Sequence, residues 1–207
     1  MDQRIAIESN PDRSRSEPVG EWRTFLARTL RHPRIVGAIA PSSLALARAM
    51  LRAAAPLEGP ILELGAGTGV FSRALLQAGV PAGALHIVER LPEFAAELRA
   101  GLPGVRVLEA DAATLLPAHF AEQPALVLSG LPLRAMGEAQ IEAILRAVLG
   151  CCRPDLRFVQ FSYGLRCPVP ASIRVRLGLR AERLRWVPLN LPPAWVWRLQ
   201  REAAPDA

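Results

Sequence analysis

With 207 residues, 51% of them apolar, the chain suits one domain with a full hydrophobic core and polar tails, and no apolar run approaches the roughly 18 residues of a membrane span. Its three cysteines, Cys151, Cys152 and Cys167, make no disulfide framework, and His32, His86 and His119 are too scattered for a metal site. The formal charge is +6 and every basic residue is arginine, which points toward anionic partners such as nucleic acid or a membrane surface.

Residues 1–20 are polar and aperiodic, lack an apolar signal-peptide core, and read as a disordered tail. Residues 21–31, E-W-R-T-F-L-A-R-T-L-R, set Trp22, Phe25, Leu26 and Leu30 at helical spacing, with Arg23, Arg28 and Arg31 between them. Such a basic amphipathic helix suits an anionic membrane interface or a place on the core equally well. The following H-P-R-I-V-G-A-I-A-P-S-S is punctuated by Pro33, Gly37 and Pro41 and reads as an ordered loop. Ser42 or Ser43 would then cap a helix from Leu44 to Ala54. Residues 21–54 form an N-terminal cap over the substrate side, and residues 55–207 the main domain.

The main domain is organised around I-L-E-L-G-A-G-T-G-V at 61–70. A short apolar strand runs into Gly65, Gly67 and Gly69, and a helical pattern of Val70, Phe71, Ala74, Leu75 and Ala78 follows. Glycine permits backbone angles that other residues avoid, and a helix start offers unpaired N–H groups. This strand, turn and helix can cradle a nucleotide-like ligand. Leu85 to Val88 is a second strand ending in Glu89, at the distance where an acid takes ribose hydroxyls. After a helix over Pro92–Ala100, Val105 to Leu108 is a third strand, followed by Asp111. Singly, Glu89 and Asp111 would read as solvated loop acids; in order, each just past an apolar strand, they support a cofactor site.

Pro124 to Leu128 reads as a fourth strand running into Ser129-Gly130-Leu131-Pro132-Leu133. A helix over Glu138–Leu149 and a fifth strand over Arg157–Tyr163 come next. Ala181–Leu189 and Ala194–Gln200 read as a terminal hairpin. Alternating strands and helices predict an α/β fold with a mostly parallel sheet covered on both faces. From Arg157 to Arg201 the chain carries nine arginines and one acid, Glu182, which reads as an anion-facing surface or as an ordinary solvated face.

The E-x-G-x-G-x-G pattern at 63–69 resembles the first motif of class I S-adenosylmethionine-dependent methyltransferases. Four further blocks, R-H-P-R-I-V-G-A-I-A-P-S-S at 31–43, S-G-L-P-L at 129–133, Q-F-S-Y-G at 160–164 and N-L-P-P-A at 190–194, make the chain similar to bacterial phospholipid N-methyltransferases over nearly everything after the tail. The resemblance implies a Rossmann-like class I methyltransferase fold: a seven-stranded, mostly parallel sheet with a C-terminal antiparallel hairpin, plus the N-terminal amphipathic helix. It implies S-adenosylmethionine as cofactor, held by Glu63, Gly65, Ala66, Gly67 and Gly69, by Glu89 and Arg90 at the ribose, by Asp111 and Ala112 at the adenine, and by Ser129. Substrate contacts would come from Arg34, Ser42, Ser43, Gly130, Leu131 and Arg166. Tyr163, the only tyrosine, is the candidate to hydrogen-bond the acceptor amine or face it through its ring, against a plain packing role.

The implied reaction methylates the amine of phosphatidylethanolamine toward phosphatidylcholine, without metal, by a monomer held peripherally at the inner face of the cytoplasmic membrane through residues 21–31 and the C-terminal arginines. Ornithine lipid is an alternative acceptor. A second alternative is RNA, because the sequence also resembles rRNA adenine dimethyltransferases; those carry N-L-P-Y or N-I-P-Y where this chain reads Gly130-Leu131-Pro132-Leu133, so no nucleic acid is expected. A third is an inert membrane-binding module, against which the intact Glu89 and Asp111 argue.

Overall fold

Four side chains in a row, Ile61–Leu64, are fully buried in the first strand, β1. Burial on both faces is what a central strand of a parallel sheet requires, and it explains the unbroken apolar run. In the computed structural model the described residues are 33–202, with side chains from residue 44 onward. The expected tail over residues 1–20 and the basic helix over residues 21–31 lie outside the described residues.

The elements are α1 (Pro33–Ala54), β1 (Ile61–Leu64), α2 (Val70–Gln77), β2 (Leu85–Glu89), α3 (Pro92–Gly101), β3 (Arg106–Glu109), β4 (Leu126–Ser129), α4 (Glu138–Cys151), β5 (Arg157–Ser162), α5 (Ala171–Arg176), β6 (Leu179–Val187) and β7 (Ala194–Arg201). The seven strands form one sheet in the order β3-β2-β1-β4-β5-β7-β6. Strands β1 to β5 are parallel, and β7 is antiparallel to both β5 and β6. β6 therefore runs in the direction of β5, and the β6–β7 turn lies on the edge where the parallel strands end. This is the Rossmann-like class I methyltransferase architecture. Ligands of such sheets bind outside the carboxyl ends of the strands.

Alternate strand residues feed two cores. Ile61, Leu85, Ile87, Leu126, Leu128 and Val159 pack under α1, α2 and α3. Leu62, Leu64, Val88, Val127 and Phe158 pack under α4 and α5. The central strands lie where the apolar runs place them, with ends shifted by one or two residues.

One reading is corrected. The segment expected as a loop before Leu44 is part of α1, so Ser42 and Ser43 lie inside a helix and not at its start. The downstream half explains this: Leu46, Ala47, Met50 and Ala54 are buried against the sheet, and a helix so anchored extends at less cost than a new one nucleates. Helix α5, with Pro170 as its N-cap, lies in a stretch to which the sequence reading assigned no element.

Arg157, at the start of β5, ties down the end of α1 by donating to the carbonyls of Ala54 and Pro56, both at 2.7 Å. The end of α1 thus lies at the sheet's other edge, and its first turns point toward the edge where the parallel strands end. At about 1.5 Å per residue the 22-residue helix is longer than β5, so its start overhangs that edge.

Candidate active site

β1 stops where glycine becomes necessary. Gly65, Gly67 and Gly69 have φ of 67°, 53° and 78°, left-handed values that other residues adopt at a cost. The Gly65 N–H donates to the Val88 carbonyl at 2.8 Å, which carries the sheet one step past β1 before the turn. A Cβ on Gly65 would sit 2.7 Å from Leu131, whereas a Cβ on Gly67 would meet no protein atom within 4 Å. The open space beside Gly67 belongs to a cleft.

Glu89, at the end of β2, forms the next wall. It is buried, and both its oxygens are engaged: Oε2 accepts from the Gly67 N–H and Oε1 from the Leu91 N–H, each at 2.9 Å. The acid thus clamps the glycine loop to the start of α3 while each oxygen keeps a lone pair for a ligand. Asp111 is held by the Ala113 N–H at 2.9 Å and lies 3.4 Å from Arg90 Nη1. Between these acids the cleft is lined by apolar groups, among them Phe94, Met136 and Ile144. A diol-binding carboxylate, an apolar slot for a base, a second acid at the slot's rim and an unobstructed glycine backbone fit an adenosine-bearing cofactor.

The expected residues divide. Gly65, Gly67, Glu89, Arg90, Asp111, Ala112, Gly130 and Leu131 all line this cleft. Glu63, Ala66, Gly69 and Ser129 are not among its lining residues. Ala66 packs against the core under α1 and α2, and Gly69 begins α2 against Leu98 and Arg73. Ser129 is fully buried, its Oγ accepting from the Leu131 N–H at 3.4 Å. Arg166 is exposed in the loop after β5, where its carbonyl accepts from Ser162 Oγ at 3.3 Å. Arg34, Ser42 and Ser43 lie on α1, with side chains outside the described residues. The sequence reading missed Leu91, Phe94, Pro132, Met136 and Gln140 as lining residues. The apolar pair flanking the first turn of α3 was the available signal for two of them.

Glu63 shares the face of Ile61 and is fully buried, with Ser72 Oγ donating to its Oε2 at 2.6 Å. Burial pushes its carboxyl from 4.5 up to about 7, against the pull of the Ser72 hydrogen bonds. A raised carboxyl favours the folded state while it is protonated, and that contribution is lost as pH rises from 4.5 to about 7. The loss is on the order of 3 kcal/mol. Thermal unfolding at pH 5 and pH 8 should give a wild-type drop that Glu63→Gln largely removes; equal drops would contradict this environment.

Past β4 and β5 the sequence blocks at 129–133, 160–164 and 190–194 meet. Gln160 is buried and donates from Nε2 to the Leu131 carbonyl at 3.0 Å, so β5 fixes the loop that closes the cleft. Tyr163 stands just beyond β5, edge-on to Phe161 at 5.5 Å between centroids. Burial raises its hydroxyl above the ordinary value, against a hydrogen bond from Asn190. Asn190 is buried in the β6–β7 turn and also donates to the Pro192 carbonyl at 2.7 Å. Tyr163 is on the cofactor's edge of the sheet, though it is not a wall of the cofactor cleft.

Fold and cleft together define a class I methyltransferase that uses S-adenosylmethionine. The Methyltransferase domain family model matches residues 61–155. The chain is 30% identical over 181 residues to the ornithine lipid N-methyltransferase of Singulisphaera acidiphila, covering 84% of this chain and 92% of that one, and it belongs to the class I S-adenosylmethionine-dependent methyltransferase superfamily. Among solved structures it resembles the Burkholderia thailandensis 1,6-didemethyltoxoflavin-N1-methyltransferase with bound 1,6-didemethyltoxoflavin and S-adenosylhomocysteine, with a TM-score of 0.68, 17% identity and coverage of 96% of this chain and 95% of that one. The glycopeptide N-methyltransferase MtfA complexed with S-adenosylmethionine matches with a TM-score of 0.63, 13% identity and coverage of 78% and 95%. These two likenesses establish the fold.

Proposed function

We propose that this enzyme methylates the amine of a membrane aminolipid, and that an ornithine-type lipid is the acceptor. The observation that carries this reading is the similarity to an ornithine lipid N-methyltransferase along 84% of the chain, far beyond the cofactor motif. Phosphatidylethanolamine is the second reading, favoured by the sequence blocks that meet around Leu131, Tyr163 and Asn190. Both lipids offer an alkylamine at a bilayer surface.

S-adenosylmethionine, when bound, supplies a methyl group on a cationic sulfur. The chain must present an uncharged amine to it. With a pKa near the lysine reference of ~10.4, freeing the amine's lone pair at pH 7 costs roughly 4–5 kcal/mol. A low-polarity site reduces this cost; Leu131 and Pro132 line the cofactor cleft, and the Phe161–Tyr163 pair stands on the same edge of the sheet, with Tyr163 42% exposed. Tyr163 stays neutral and can accept a hydrogen bond from the amine or turn its ring toward a developing ammonium. The Asn190 side chain faces that hydroxyl.

The local geometry also argues against a nucleobase acceptor. Where rRNA adenine dimethyltransferases carry an asparagine, this chain has Gly130, and a Cβ there would stand 2.6 Å from the Gly65 carbonyl oxygen. Where they carry a stacking aromatic it has Leu133, which is buried.

Tyr163→Ala is expected to cut turnover roughly tenfold to a hundredfold while cofactor affinity stays near wild type. Loss of rate in Tyr163→Phe would implicate the hydroxyl, and retention the ring. Full activity in both would reduce Tyr163 to packing. The acceptor is tested with methyl-labelled S-adenosylmethionine and, separately, vesicles of ornithine lipid, vesicles of phosphatidylethanolamine, and rRNA. Label in ornithine lipid first is expected; label in RNA alone would overturn the reading.

A further inference from the structure

The β6–β7 turn projects from the catalytic edge with large apolar side chains facing water. Leu189 and Leu191 are 79% and 75% exposed, Trp186 is 54% exposed, and Leu165, in the loop beside them after β5, is 67% exposed. A soluble surface seldom gathers such groups at one place, and a Trp with leucines flanked by arginines is the composition of a membrane-interface element.

The charges around this tip are arranged by a register slip. β6 pairs Arg183 with Trp197 but Arg185 with Val196, so the slip turns the two arginines to opposite faces. On one face Arg183 lies 4.4 Å above the Trp195 ring, and Trp195 stacks with Trp186. On the other face Arg185 joins Arg48 and Arg52 of α1 around a groove that continues past Val187 and Pro188 to Leu189. Arg48 and Arg52 stand one helical turn apart, where like charges repel. No carboxylate lines the groove, and none of these three arginines is in an ion pair among the described residues. An uncompensated basic groove opening beside an apolar tip is complementary to an anionic bilayer: apolar groups below the headgroups, arginines at their phosphates.

We propose that the β6–β7 tip and the Arg48–Arg52–Arg185 groove seat the enzyme on an anionic phospholipid bilayer, with the catalytic edge facing the membrane. This rests on the aminolipid reading and adds the surface that brings the enzyme to its substrate. It explains why the tip lies on the same edge as the glycine loop and Tyr163. A lipid amine at the bilayer surface then meets the cleft without leaving the membrane.

The test uses the full chain, sedimented with vesicles of phosphatidylcholine alone or mixed with phosphatidylglycerol. Wild type should bind the anionic vesicles and release at high salt. Leu189→Glu with Trp186→Ser should lower binding at least about tenfold. Arg48→Glu with Arg185→Glu should lower it by about fivefold or more for each charge and flatten the dependence on phosphatidylglycerol. Each variant should bind S-adenosylhomocysteine like wild type, which reports an intact fold, and should methylate a short-chain aminolipid dissolved as monomers at the wild-type rate. Wild-type vesicle binding in the folded variants, or no binding of wild type to either vesicle, overturns the docking surface. Vesicle binding by a wild type that leaves the dissolved aminolipid unmethylated would overturn the aminolipid reading and leave the surface standing.

Discussion

Gly67→Val should abolish S-adenosylmethionine binding while leaving a folded protein, with the dissociation constant raised more than about a hundredfold. Two effects combine. Gly67 has φ of 53°, where a β-branched residue is strained by roughly 1–2 kcal/mol. Its side chain would also enter space that no protein atom occupies within 4 Å, the space the cofactor needs against the backbone. The strain should lower the melting temperature by only a few degrees. Isothermal calorimetry on the folded variant decides the matter, and near-wild-type affinity would remove the glycine loop from the cofactor site.

Glu89→Ala should weaken the cofactor by about 3 kcal/mol or more, roughly a hundredfold or beyond. Truncation orphans the Gly67 and Leu91 N–H groups, each now bonded at 2.9 Å, and so loosens the loop that approaches the cofactor. It also removes the charge-assisted acceptors for the ribose hydroxyls. Glu89→Gln should be intermediate, because it keeps one oxygen and turns the other acceptor into a donor facing an N–H. Calorimetry across the pair should give that order. An unchanged affinity in Glu89→Ala would mean that neither the clamp on the glycine loop nor a ribose contact by this acid supports cofactor binding.

Much of the parallel half was legible in the sequence for a physical reason. A strand buried on both faces, as β1, β2 and β4 are, reads as an unbroken apolar run, and Glu89 ends one of them; Asp111 follows β3, a half-exposed edge strand, and the fold raises both acids to one edge. Glu63 shows where motif reading ran past the geometry. Its place in the glycine motif suggested a ligand contact, but strand alternation puts it on the face of Ile61, under α2 and away from the cleft. Helix α1 was misjudged because Pro33, Gly37 and Pro41 weigh heavily in local propensity, while the packing of Met50 and its neighbours on the sheet is a long-range effect. The Arg48–Arg52–Arg185 groove joins residues more than a hundred positions apart and depends on a register slip, so no window of the sequence contains it.

The most direct test of aminolipid methylation is made in cells. The full chain is expressed in a bacterium that makes both ornithine lipid and phosphatidylethanolamine but no methylated form of either, and the extracted lipids are analysed by mass spectrometry beside those of a Gly67→Val strain. Methylated ornithine lipid with wild type, and none with Gly67→Val, is the predicted result. An unchanged lipid profile in cells whose enzyme binds S-adenosylmethionine and methylates RNA or a small soluble amine would contradict it.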